Sequence, residues 1–517
     1  IDVNVSARAS GTDGDAYAFA GYLAATYARS NSASEPSGNA VASFSNAADA
    51  SILADVTANA TGTNFASASV EFSSAVVQSA NADFGNATAS MVNDGTIVLN
   101  GQANANADEG FAIAGADMPN VVRQYANTGN DVQSDATVSL TNTGTISGIV
   151  SANAVAGAES TAGAPSFAIA NAVVGGIGGS EAGIAQRAIG STVTLNNDGA
   201  IVMQAAAAAS ATDVAFALAL ADAVDQTATG SDTASVVFNQ GPLVVTGTGT
   251  AATTAGGMLS ATASATANGG DFAIAIAAAR GVEQNASATG AAGVATASFV
   301  NAGAFNVVAN ASANATDTGA TTAAAIANAN AIGVEQDANG AVASAVFVNS
   351  GTFNVSASAV AAGGTNTTGG TANSANATAI GLLADSGNAI NATNSGVLSV
   401  DAFASAATVA AASALAISYD VSGTASGTVS NAGTISAFAS AVGGAPVVST
   451  GVAIPVTTVT VGGIPAFVTT GGGNTLTGVG PVATVTGTVT ATQDSAVARG
   501  LAVSADVIAD LTVTNSG

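Results

Sequence analysis

The 517-residue chain contains no cysteine, histidine, tryptophan or lysine. Lack of cysteine removes both disulfides and thiol chemistry, so the redox compartment leaves no trace. Without histidine, cysteine or lysine, most nucleophilic triads, thiolate sites and Schiff-base reactions are excluded. Positive charge is scarce: Arg8, Arg29, Arg123, Arg187, Arg280 and Arg499 stand against 32 acidic residues, for a net charge of −26. That balance argues against nucleic acid as a partner, because phosphate neutralisation needs clusters of Lys and Arg. No run of 18 apolar residues occurs, so no membrane-spanning helix is expected. A membrane β-barrel would need aromatic girdles that no tryptophan and 5 tyrosines cannot build. No basic n-region and apolar h-region open the chain. Because it starts in mid-repeat, a leader is read as missing rather than never made.

What the chain does have is alanine, glycine and repetition. Apolar residues make up 48% and charged residues 7%, with 61 glycines. Such a composition suits disorder unless small apolar positions recur regularly enough to stack. They do recur. Asn-x-Gly followed by an alternating stretch begins at Asn93, Asn142, Asn197, Asn239, Asn301, Asn349, Asn394, Asn431 and Asn515, with a weaker copy at Asn46. Most spacings lie between 37 and 62 residues, but the last is 84, room for one degenerate copy. A second segment, FAIAG at Phe111, returns at Phe167, Val214, Phe272 and Ala324, with YAFAG at Tyr17 as a sixth copy. A third landmark is glutamine, at Gln78, Gln124, Gln186, Gln226, Gln284 and Gln336. Three landmarks in fixed order make a repeat array.

Alanine favours helix, but the alternation does not. In NAGAFNVVANASANA, Phe305, Val307, Ala309, Ala311, Ala313 and Ala315 occupy every second position, the period of a half-buried strand. The Asn, Ser and Thr between them are poor helix-interior residues. Helix stays open only over QAAAAASATDVAFALALADAV from Gln204. The fold expected is all-β: a repetitive β-solenoid of stacked coils with a thin core rich in alanine and glycine, in roughly 11 repeats of 40–60 residues. Stacked amides can bond along the axis, so the asparagines predict one ladder and the glutamines a second. The glycine of Asn-x-Gly is expected to turn the corner with a positive φ. Phe and Ile at each repeat start would fill the wider corners. Whether one repeat makes one coil or two is open.

Residues 1–442 read as the array and 491–517 as a final partial repeat. Between them, residues 443–490 hold Pro446, Pro455, Pro465 and Pro481 with many Val and Thr. Proline blocks central-strand pairing, so this part is an insertion, an edge or a degenerate coil.

No catalytic, cofactor or metal site is read. The closest carboxylates, Asp13 with Asp15 and Asp108 with Glu109, lie in glycine-containing turns and do not recur at the repeat beat. The nonapeptide of calcium-binding β-rolls is lacking, so divalent cations are expected only as diffuse counter-ions of an acidic surface. Asn-x-Ser/Thr sequons such as Asn4, Asn59 and Asn310 permit glycosylation without arguing for it.

The NxGTI-type units followed by alternating Ala, Val and Ser resemble the passenger regions of bacterial autotransporter and filamentous-haemagglutinin-like surface proteins. The resemblance covers nearly the whole chain except residues 443–490. It implies a secreted, non-enzymatic β-solenoid acting as adhesin, stalk or matrix protein, located outside the cell or on its surface. No secretion domain, translocator barrel or large aliphatic core stack of that family is recognisable here. The tail TVTNSG and head IDVNVSARAS together complete one repeat like NSGTFNVSASAVA at Asn349. Neither end reads as capped, and an uncapped sheet edge recruits another strand. The chain is then either a subunit joining head to tail, with lateral bundling of the acidic rods by divalent cations, or a slice of a giant adhesin stalk.

Overall fold

The computed structural model describes residues 1–11, 15–22, 26–32, 38–129, 134–157, 165–176, 181–241, 244–246, 253–255, 257–316, 323–363, 373–443, 459–461, 464–466, 474–480, 483–485 and 495–515. Among them all regular structure is β-strand. The helix left open at Gln204 is instead two strands, Ala200–Ala211 and Val214–Gly230. Every second residue there points into a shared core, and burying that alanine stripe outweighs helix propensity.

The chain is a β-solenoid with one repeat per coil. Each coil runs through four segments, here called A, B, C and D. The A segments form a 10-stranded parallel sheet running from Asp2–Ser10 to Thr434–Gly443. The B segments carry the FAIA motif, the C segments the glutamine, and the D segments end on the asparagine. B, C and D strands together make a second, larger sheet. From Val214–Gly230 onward B and C are one continuous bent strand. Ten levels rising roughly 4.8 Å each give a rod of about 45–50 Å.

The count is one lower than the landmarks suggested, because Asn431 pairs directly with Asn515. The 84-residue spacing is thus one coil carrying a long insertion, with no extra copy inside it. Within that insertion the short strands at Val459–Val461, Ile464–Ala466 and Ala483–Val485 pair antiparallel. Pro446, Pro455 and Pro481 lie outside the described residues. One more strand, Asn474–Gly480, pairs antiparallel with the last D segment. The expectation of an uncapped tail therefore fails over residues 508–515, where that strand already takes up the outer edge.

Alternation carries through to packing. In Ala304–Ala315 the six residues read as inward are all buried. The first inward position of each A segment is large: Ile97, Ile146, Ile201, Leu259, Phe305, Phe353 and Leu398 are all wholly buried, as expected of corner fillers. Phe305 stacks on Phe353 with ring centroids 4.4 Å apart. The inner face of B is almost purely alanine, as at Ala273, Ala275 and Ala277. Each methyl contributes about 0.8 kcal/mol, so cohesion rests on the number of stacked levels.

The D-to-A corner is held by the asparagine ladder. Asn93 donates from Nδ2 to Asn142 Oδ1 at 2.7 Å and to the Thr145 carbonyl at 3.2 Å. Asn46, Asn301, Asn349 and Asn394 do the same to the coil that follows each. Both amide protons are used, one along the column and one to lock the next A strand. The copy read at Asn239 shifts by one: Gln240 pairs with Asn197, and Asn239 bonds the half-buried Asn196 instead. Its NQG is followed by an insertion that delays the A strand to Met258–Gly269. Likewise YAFAG at Tyr17 sits two residues out of step, since Asp15 pairs with Phe65, itself a copy the sequence reading passed over.

The corner glycines are needed for a different reason from the one expected. Among the described residues none of them has a positive φ; the glycines that do are Gly85, Gly110, Gly129, Gly175, Gly190 and Gly427. A Cβ on Gly144, Gly351, Gly396 or Gly433 would instead collide with the carbonyl oxygen of the corner glycine one coil below. The requirement is close backbone stacking, not a left-handed turn.

Glutamines form the second ladder. Each from Gln124 to Gln336 donates from Nε2 to the Oε1 of the glutamine one coil earlier, at 2.8–3.0 Å. Each also reaches across to a D-strand carbonyl, as Gln284 does to Ser298 at 2.9 Å. The column stops where Ala384 follows Gln336, leaving Gln336 Oε1 without a partner.

These columns give a direct stability test. Asn301→Ala removes the acceptor of Gln240 and of the Gly303 N–H and leaves buried Asn349 Oδ1 without its donor. A loss of about 1–3 kcal/mol is expected, read as a lower denaturant midpoint at unchanged slope.

Candidate functional site

Carboxylates singled out in the sequence do not converge. Asp13 lies outside the described residues. Asp15 is exposed at the start of a B segment, while Asp108 and Glu109 occupy an A-to-B turn two coils further on. Among the described residues no group of three or more acidic side chains is arranged to hold a metal ion. No helix among them is long and apolar enough to cross a membrane.

Among the described residues the one buried ionic cluster lies elsewhere, at the bend between B and C. There the paired register skips one residue per coil, at Ala223, Gly281 and Gly333. A side chain on Gly281 or Gly333 would strike the Phe305 or Phe353 ring and the next coil's backbone, so glycine lets the A-segment phenylalanines fill the inside of the bend. On the outside, Asp222 pairs in register with Arg280. Both point outward, in step with half-exposed Leu218, Leu220 and Ile276, yet Asp222 is wholly buried and Arg280 is 6% exposed. The outer surface is therefore concave at this line.

Arg280 donates to Asp222 Oδ2 from Nε at 3.1 Å and from Nη2 at 2.5 Å. Its Nη1 contacts Glu283 on its own strand and Glu335 one coil on, the latter at 3.3 Å. Burial pushes the Asp222 carboxyl up to about 7 despite the guanidinium beside it. Burial, and then the Glu283 charge, raise Asp225 to about 7 as well. Glu283 is raised by burial against the pull of Arg280. Burial works against the charge of Arg280, but Asp222, Glu283 and Glu335 together hold it protonated above its ordinary value.

Such a cluster has the perturbed carboxylates of an active site without the access. Asp222 has no surface to offer a substrate, and Arg280 has nearly none. The arrangement is a structural pin that ties three successive coils together at the line where the sheet bends.

The sequence carried a signal for this cluster that the landmark reading left unused. Asp222 and Arg280 each stand four residues before a ladder glutamine, Gln226 and Gln284. Aligning the glutamines places the two side by side. The outer face of B, by contrast, had no such signal: it carries the large residues Phe167, Ile169, Phe216 and Ile274 while the inner face carries alanine. Phe111 and Phe167 stack there in parallel at 5.0 Å.

Comparison with known proteins yields no match: no family model, no curated sequence and no solved structure is similar to this chain.

Proposed function

We propose that the chain is a non-enzymatic structural rod, the β-solenoid unit of an extracellular fibre or cell-surface matrix. One observation carries the reading: most of the buried amides among the described residues are spent on columns that run coil to coil, such as the six-membered glutamine ladder. Columns of this kind stiffen the long axis, and their amide protons are used within the chain. The ionic cluster serves the same end, since its members come from successive coils. The extracellular setting rests on the resemblance to autotransporter passengers and filamentous-haemagglutinin-like proteins.

In this reading units join head to tail by adding further parallel strands to the end coils. Joining at the tail uses the edges of Thr434–Gly443 and residues 495–507, because Asn474–Gly480 lies on the remainder. A second reading makes the same rod one length of an adhesin stalk whose binding region lies elsewhere.

Electron microscopy of the purified chain over a range of concentrations tests the joining. Filaments that lengthen with concentration, one coil stack wide, are the expected result. Single rods of about 50 Å at every concentration would exclude head-to-tail growth. The mass of the denatured polypeptide from its native source then separates the two readings. A mass near 48.3 kDa fits the fibre subunit, and a several-fold larger one fits the stalk.

A further inference from the structure

Two arginines stand outside the ladders and the Arg280 salt bridges. Arg123 and Arg187 stand at exposed, outward positions on C segments of adjacent coils, and neither makes an ion pair among the described residues. In the paired register Arg123 lies against Ala185 and Tyr125 against Arg187. The Cα atoms of the two arginines thus lie on a diagonal of roughly 8 Å, with the half-buried Tyr125 beside them. With Asp225 and Thr227 they line one surface depression of about 70 Å³. Among the described residues that line it the only carboxylate is Asp225, which accepts the Thr227 hydroxyl at 3.3 Å and lies near enough to Arg187 for that charge to favour its ionised form.

This is an odd place for two arginines to be left without a salt bridge. The chain has 32 acidic residues for six basic ones, so carboxylate partners are abundant. Two guanidiniums side by side repel one another even in water. Arg280 shows what the fold does with an arginine it uses structurally: it surrounds it with three acids.

We infer that this depression binds a carboxylate-bearing glycan, a short stretch of uronic-acid polymer lying along the C face. Two guanidiniums present forked donors to a carboxylate between them, the geometry in which arginine outperforms other side chains. Tyr125 offers an apolar ring edge and a phenol to the sugar, and the Thr227 hydroxyl lies on the same rim. The depression has room for a single small anionic group. A nucleic acid is a poor fit, since two cations neutralise too few phosphates. A second copy of the chain is disfavoured as well. Two rods of −26 each repel along their whole contact, whereas a thin oligosaccharide brings only a few charges within a Debye length of roughly 8 Å. The site stands whether or not the chain polymerises.

Isothermal titration of the full chain with an oligogalacturonate, at low and moderate salt, tests this. Saturable binding that weakens with salt is expected, with a more than tenfold loss in the R123A/R187A variant at unchanged thermal midpoint. Arg8→Ala, on the exposed side of an A strand, is expected to bind as the parent does. A neutral galactose oligomer is expected not to bind. The inference is overturned if oligogalacturonate does not bind or binds R123A/R187A equally well. It is also overturned if a sulfated oligosaccharide binds more tightly than the uronate. Sedimentation adds a further arm: a parent dimer that R123A/R187A converts to monomer would give the site to a second copy of the chain.

Discussion

Arg280→Ala is expected to destabilise the middle of the rod by about 3–5 kcal/mol, the range for removing one partner of a buried ion pair. The reason is what remains. Asp222 loses both donors to its Oδ2 while staying wholly buried, and its Oδ1 already has no partner. Asp225 and Glu283, both raised by burial, lose the Arg280 charge, which leaves Asp225 only the weaker pull of Arg187. Glu335, half-exposed, can turn to water, so the cost concentrates on the other three. Replacing the pair by apolar groups of similar volume, Asp222→Leu with Arg280→Met, is expected to recover most of the loss, since the desolvation cost then disappears with the charges.

A solenoid unfolds through neighbour contacts, so this damage has an address. Hydrogen exchange in Arg280→Ala is expected to quicken first over residues 214–339, the coils that supply Asp222, Arg280 and Glu335. Residues 51–107 should keep their protection at low denaturant. Uniform loss across the chain, or none, would show that the cluster does not pin the bend. The same experiment on Asn301→Ala gives a smaller effect at the D-to-A corner, which separates the two holding points.

Much of this was legible in the sequence, because a solenoid repeats its evidence. Period-two alternation at Phe305 to Ala315 fixed strand over helix against a high alanine content, and the glutamine spacing foretold a ladder that runs unbroken for six coils. Errors arose where local spelling and three-dimensional register part company. At Asn239 the letters NQG match the landmark, but register is set by the stacked D strand, which carries Gln240 into the column. At residues 431–515 spacing alone suggested two coils, because inserted length and coil length look alike in one dimension. The corner glycines were read as turn formers although their constraint comes from the coil below, an interaction that no single copy of the motif contains. The ionic cluster needed a two-step reading, glutamine register first and then the residues four places earlier. Outward-facing phenylalanine on B was not legible, since alternation says which residues share a face and not which face is inside.

Folding stability is expected to increase as the pH falls from 8 to 5, the reverse of ordinary acid destabilisation. Every carboxyl with a resolved displacement is displaced upward: Asp117, Asp222, Asp225, Glu283, Asp337 and Asp385. Burial is the leading cause for each, reinforced by neighbouring carboxylates, as Asp385 reinforces Asp337 one coil away. In the unfolded chain these groups titrate near 4. Between there and about 7, where Asp222 and Asp225 titrate when folded, the native state holds more protons than the unfolded state. Stability therefore falls as pH rises through that window, and the contribution is complete only below the unfolded value. The two most buried groups, Asp222 and Asp225, set the size of the effect at roughly 2–4 kcal/mol after allowance for Arg280. Relief of repulsion within a chain of net charge −26 acts in the same direction. Denaturant midpoints at pH 5 and pH 8 measure it, and a lower midpoint at pH 5 would refute the assignment of these carboxyls as buried acids. Asp225→Asn supplies the control, because an amide mimics the protonated acid at every pH. It is expected to raise the midpoint at pH 8, leave it nearly unchanged at pH 5 and flatten the curve between. In Arg280→Ala the slope should instead steepen, since Asp222 and Asp225 then titrate higher still without the Arg280 charge that favours their ionised forms.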